Sequence, residues 1–130
     1  MTTARIAHIA LWTRDIERLC AFYTGVFGLA AGPPYESARR PGFLSRFLAF
    51  ADGTAIELMQ APWLEDGFGA DARVGYAHIA IGLGSEAAVD ALSARAQSQG
   101  FLHGSPRHTG DGFYEAVLTD PDGNLIEITV

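Results

Sequence analysis

No lysine occurs in the 130 residues, so all nine Lys/Arg cations are arginines. Schiff-base chemistry through a lysine amine is therefore excluded. The single cysteine, Cys20, cannot form a disulfide within the chain and fits a reducing compartment. Nowhere do 18 apolar residues run together, and residues 1–14 lack the apolar stretch of a signal peptide. A cytoplasmic protein with no membrane partner is expected. Basic stripes are also missing: Arg39-Arg40 is the one adjacent pair of cations, and the net charge is −6. Phosphate backbones need clustered cations, so nucleic acid is excluded as a routine partner.

What is present suits one compact domain spanning 1–130. Hydrophobic residues make up 48% and charged residues 18%, and a chain of this size buries roughly two-thirds of its unfolded surface. Its most informative feature is a repeat. Ala7-His8-Ile9-Ala10-Leu11 returns as Ala77-His78-Ile79-Ala80-Ile81, and Asp52-Gly53-Thr54-Ala55-Ile56-Glu57-Leu58 returns as Asp122-Gly123-Asn124-Leu125-Ile126-Glu127-Ile128. The offset is 70 in both cases (78 − 8 and 127 − 57). Each copy therefore holds one His and one Glu, 49 residues apart (57 − 8 and 127 − 78).

Periodicity and turn signals read each copy as β-α-β-β-β. In the first, strands are expected over 5–11, 29–31, 43–51 and 54–60. A helix capped by Asp15 and closed by Gly28 carries Ile16, Leu19, Cys20, Tyr23 and Phe27 on one side. In the second, strands are expected over 76–83, 101–103, 113–119 and 125–130, with a helix from Ser85 to Gly100. The fold class is α+β, with module 1 over 1–64, module 2 over 75–130 and a Gly-rich linker over 65–74. One module cannot cover its own sheet, so modules must pair, within a chain or between chains.

Strand alternation gives the His and Glu residues a common address. His8 and Ala10 share one face, opposite Ile9 and Leu11; Glu57 lies opposite Ile56 and Leu58. His78 and Glu127 repeat the rule. A one-residue slip would drive the carboxylates into the helix-packed core, so the pattern pins the register. Two inward carboxylates alone would repel and lose hydration worth several kcal/mol. A divalent cation held by His8, Glu57, His78 and Glu127 removes that cost, and the sheets are expected to curl around it.

These motifs resemble the vicinal oxygen chelate superfamily, which contains glyoxalase I, fosfomycin resistance enzymes, extradiol dioxygenases and bleomycin-binding proteins. The likeness covers essentially the whole chain. It rests on His8-Ile9-Ala10, Phe22-Tyr23 through Phe27-Gly28-Leu29, Ile56-Glu57-Leu58, Ala77-His78-Ile79-Ala80 and Asp120-Pro121-Asp122-Gly123-Asn124-Leu125-Ile126-Glu127. The His, Glu, His, Glu order looks like bacterial glyoxalase I, and the length like the short bacterial members named glyoxalase-like.

The resemblance implies one octahedral nickel, cobalt or zinc ion with two positions left for vicinal substrate oxygens. It implies a lyase or isomerase reaction in which the metal stabilises an enediolate and a glutamate carries the proton. Glu127 is the expected base and Glu57 the alternative. It also implies a homodimer whose sites take His8 and Glu57 from one chain and His78 and Glu127 from its partner. The chain departs from glyoxalase I at two glutathione-contacting positions, where it has Trp12 and Ala61, so use of glutathione or another thiol is left open. Other classes in the same superfamily are a metal-dependent transferase or dioxygenase and a non-catalytic binder of antibiotics or metabolites.

One substrate-side residue follows from the same alternation. Trp12 shares the face of His8, and Phe43, Phe47, Trp63, Phe113 and Tyr114 are candidates for core or pocket lining. Trp12, Arg107 and Tyr114 are the substrate-binding candidates. The polar segment 107–112 reads as a solvated hairpin or as a flap carrying Arg107 to an anionic group. Cys20 reads as inert packing, and His103 and His108 as surface residues.

Overall fold

The computed structural model describes residues 3–67, 72 and 74–130. Much of the expected linker, 68–71 and 73, lies outside the described residues. The chain divides into two compact units, 1–67 and 68–130.

Unit 1 runs β1 (His8–Trp12), α1 (Ile16–Phe27), β2 (Ala30–Ala31), β3 (Tyr35–Glu36), β4 (Leu44–Ala49) and β5 (Ala55–Gln60). Its sheet has the order β1-β5-β4-β2, with β3 paired to β4. β1 lies parallel to β5, and the other pairs are antiparallel. Asp15 caps α1 by accepting the Arg18 N–H at 3.0 Å. Gly28 ends it at φ 68°, where its N–H reaches the Thr24 carbonyl. The buried stripe of α1 is Ile16, Leu19, Cys20 and Tyr23, and Leu48, Ile56 and Leu58 complete the core of this unit. Cys20 is packing, as expected.

Unit 2 runs β6 (His78–Gly82), α2 (Glu86–Gln99), β7 (Leu102–His108), β8 (Tyr114–Thr119) and β9 (Leu125–Thr129). Its sheet has the order β6-β9-β8-β7, again with one parallel pair, β6 with β9. Ser85 caps α2 by accepting the Ala88 N–H at 3.1 Å. Val89, Ala96, Leu118, Ile126 and Ile128 are fully buried, and each large apolar side chain so buried contributes about 1.5–3 kcal/mol.

Two elements differ from the reading of the sequence. The strand expected over 101–103 runs on to His108, through Gly104, Ser105 and Pro106. Proline is tolerated there because β7 is the edge strand, where a missing N–H breaks no ladder, and the strand is irregular at Gly104. In unit 1, β3 is an additional two-residue strand with no sequence signal beyond its tyrosine. Segment 109–112 is a hairpin turn: Thr109 N–H donates to the Phe113 carbonyl at 2.8 Å, and Phe113 N–H to Thr109 Oγ1 at 2.9 Å. Among the described residues, no helix is long and apolar enough to cross a membrane.

Candidate functional site

In each unit the parallel strand pair carries the His beside the Glu. Register in unit 1 pairs Ala10 with Glu57 and His8 with Ala55, so His8, Ala10, Trp12, Glu57 and Met59 share a face. The helix-covered face belongs to Ile9, Leu11, Ile56 and Leu58. His8 Nε2 lies 3.6 Å from Glu57 Oε1, with side-chain exposures of 45% and 18%. The Phe47 ring meets the His8 ring edge-on at 5.3 Å and steadies it.

Unit 2 repeats the register, pairing Ala80 with Glu127 and His78 with Leu125. Its pair is closer: His78 Nε2 lies 2.9 Å from Glu127 Oε2, with exposures of 37% and 22%. The turn before β9 is fixed by Asp120. Its Oδ1 accepts the N–H groups of Asp122 and Asn124, both at 2.9 Å, and its Oδ2 accepts the Asn124 side-chain amide at 2.8 Å. Buried Asp120 thereby sets where β9 starts, and with it the position of Glu127.

The expected donors are thus met as two pairs, one per unit. Among the described residues no three His, Cys, Asp or Glu side chains gather closely enough to hold a metal ion. Each pair suits two adjacent positions on a metal. Donors at about 2.1 Å from an ion and at right angles stand about 3 Å apart, and the separations of 3.6 Å and 2.9 Å bracket that value.

The other candidates separate. Trp12 stands on the His8 face, 43% exposed, and meets Phe43 edge-on at 6.1 Å. Arg107 lies on the Glu127 face, where its Nη2 is 3.7 Å from Glu115 Oε1. Tyr114 does not join them. Register pairs it with His108, and its hydroxyl donates to Asp90 of α2, so it stands on the helix-covered side, away from Glu127. That hydrogen bond, ahead of burial and the charges of Asp90 and Glu86, holds the phenol above its usual range. His108 Nε2 lies 3.6 Å from Glu86 Oε1, on the same side and largely exposed.

Two residues escape the sequence reading. Glu115 is buried on the Glu127 face. Burial first, then a hydrogen bond and repulsion from Glu127, raise its carboxyl above the usual range, and the Arg107 charge opposes them. Alternation alone points to it, since Glu115 lies two residues before Val117, the partner of Glu127. The repeat conceals it, because the matching position in unit 1 is Ser45 (115 − 70). The second is Arg40, whose guanidinium lies over the Phe43 and Trp63 rings.

The profile of the glyoxalase/bleomycin resistance protein/dioxygenase superfamily matches residues 5–128. The chain belongs to that superfamily. An uncharacterized protein of Pseudomonas aeruginosa is 32% identical over 136 residues, covering 95% of this chain and 86% of the relative. Solved structures of the superfamily share its fold. A glyoxylase/bleomycin resistance protein/dioxygenase domain from Frankia superposes with a TM-score of 0.83 at 16% identity, covering 98% of this chain and 92% of that one. The trypanothione-dependent glyoxalase I of Leishmania major gives 0.74 at 24% identity, covering 98% and 86%. The superfamily membership and the α+β fold with two mixed sheets agree with the expectations from sequence.

Proposed function

We propose that this superfamily member is a metal-dependent lyase or isomerase of the glyoxalase I type, acting on a small molecule with vicinal oxygens. The observation that carries the reading is the duplicated imidazole–carboxylate pair, His8 with Glu57 and His78 with Glu127, on corresponding strands of the two units. His8, Glu57, His78 and Glu127 would hold one nickel, cobalt or zinc ion. Two neutral imidazoles and two carboxylates balance a divalent charge, which fits the donor set. When bound, the ion supplies Lewis-acid polarisation of a substrate carbonyl.

The chain's own residues supply the rest. A carboxylate oxygen of Glu127 takes a proton from one substrate carbon and returns it to its neighbour. Glu127 is the proposed base, with Glu57 as the alternative. Phe47 holds the His8 ring, and Trp12 covers the apolar side of the substrate. Two chains pair so that unit 1 of each faces unit 2 of the other, giving two sites per dimer.

Nickel-loaded protein is expected to exchange a carbon-bound proton for deuterium on the hemithioacetals of methylglyoxal, formed with glutathione or with 2-mercaptoethanol. Absence of exchange with nickel, cobalt and zinc alike overturns the lyase reading. The dimer has its own test. His8→Ala and His78→Ala chains, each unable to bind metal alone, recover binding when mixed if sites cross between chains. No recovery after complete subunit exchange contradicts the crossed arrangement.

A further inference from the structure

Arg40 lies over two aromatic rings and, among the described residues, meets no carboxylate. Its guanidinium carbon lies 5.1 Å from the Phe43 ring centroid and 4.7 Å from that of Trp63. Arg14, Arg46 and Arg107, by contrast, each meet a carboxylate: Asp66 at 2.7 Å, Glu17 at 2.8 Å and Glu115 at 3.7 Å. Among the described residues no acid reaches Arg40. Among the described residues no oxygen acceptor meets the guanidinium N–H donors of Arg40, so they are available to a ligand. Those donors match a carboxylate bidentately.

The loop that presents Arg40 is built rather than loose. Arg40 N–H donates to Ser37 Oγ at 3.0 Å. Phe43 N–H donates to the Arg40 carbonyl at 3.0 Å, and Ser37 N–H to the Phe43 carbonyl at 3.0 Å. Gly42 takes φ +88° against Pro62, whose Cγ and Cδ would stand 2.8 Å from an added Cβ. That close approach fastens the loop beside Trp63. A cleft of about 250 Å³ adjoins it, lined by Arg14, Gly42, Gln60, Ala61 and Pro62.

The cluster is continuous with the His8 face. Phe43 meets Trp12, and Trp12 stands four residues from His8 on the same side of β1, roughly 13 Å along the strand at about 3.3 Å per residue. Trp12 and Trp63 are 43% and 45% exposed, large apolar faces open to a ligand.

We propose that Arg40, bracketed by Phe43 and Trp63, is a carboxylate-recognition site, and that the substrate is a flat, apolar monocarboxylate. The Arg40 edge takes the carboxylate, and the indoles of Trp12 and Trp63 cover the conjugated or aromatic body. The end bearing the vicinal oxygens then points along β1 toward His8 and Glu57. That last statement rests on the metal reading of the His–Glu pairs; the carboxylate site does not.

The two tryptophans of the chain both lie in this cluster, so the two indole N–H signals of a ¹⁵N-labelled sample report on it alone. The probe is 3-phenylpropionate, with 3-phenylpropionamide as its neutral counterpart, titrated into the full chain without added metal. Both indole signals are expected to shift saturably with the acid, and the amide to bind at least ten-fold more weakly. Arg40→Gln should erase that preference while Arg18→Gln, an equal loss of charge on α1, keeps it. Should Arg40→Gln unfold, Arg40→Met keeps the stem against the rings and serves as the second variant. Equal affinity for acid and amide overturns the proposal, and so does a folded Arg40 variant that still prefers the acid. Because the probe has no vicinal oxygens, either result stands apart from nickel binding, which tests the metal reading.

Discussion

At an offset of 70, Trp12 becomes Gly82, Arg40 becomes Gly110, Phe47 becomes Val117 and Ser45 becomes Glu115. The two units have kept the strands, the helix and the His–Glu pair, and have diverged in what surrounds that pair. Unit 1 has an aromatic wall and an arginine that meets no acid among the described residues, around a pair separated by 3.6 Å. Unit 2 has small residues, a buried second carboxylate and a pair at 2.9 Å. The duplicated backbone fixes where donors stand, and the unmatched residues divide the labour. In the proposed reading, unit 1 carries the substrate-recognising residues and unit 2 the acid–base glutamate.

The sharpest way to break that division is at the glutamates. Glu127→Gln is expected to lower proton exchange by the metal-loaded protein by about 10²-fold or more, and Glu57→Gln by less. Equal losses would erase the asymmetry. Next come the cores, which should respond alike because they are the shared part. Leu48 and Leu118 occupy matching positions (118 − 48 = 70) and both are fully buried. Alanine at either should destabilise its unit by about 2–5 kcal/mol, read by denaturant unfolding and localised by hydrogen exchange.

Glu115 gives a pH-dependent contrast with Ser45. Its carboxyl is raised in the folded protein, so the native state holds that proton more tightly than the unfolded chain does. The resulting stability is fully present below the unfolded carboxyl's value and is lost as pH rises through the folded one. Metal-free Glu115→Gln should therefore match the parent in acid and melt a few degrees higher at neutral pH, whereas Ser45→Ala has no such pH signature. The smallest expected effects are at the helix caps, also matched: Asp15→Ala and Ser85→Ala should each cost about 1 kcal/mol, measured by thermal melts.

Legibility followed the same divide. Everything the two copies share could be read, because repetition turned weak local signals into strong ones. Strand register, both helices with their Asp15 and Ser85 caps, and the faces of His8, Glu57, His78 and Glu127 came from alternation and spacing. Much of what belongs to one copy alone was lost, although Trp12 on the His8 face was legible. The seven-residue β7 was hidden by Pro106, which reads as a breaker unless the strand is known to be at the edge. Tyr114 was expected with the pocket residues, but its partner Asp90 lies across 24 positions of chain and no local pattern reveals it. Glu115 and Arg40 depend on which side chains meet in space, one against Glu127 and one against two rings.

Nickel titration calorimetry on the full chain tests most directly whether the two pairs serve a single ion, as proposed. One tightly bound ion per chain is expected in the parent and none in either His8→Ala or His78→Ala. Tight binding that survives the loss of one unit's imidazole, or a parent protein that takes up no nickel, would contradict it.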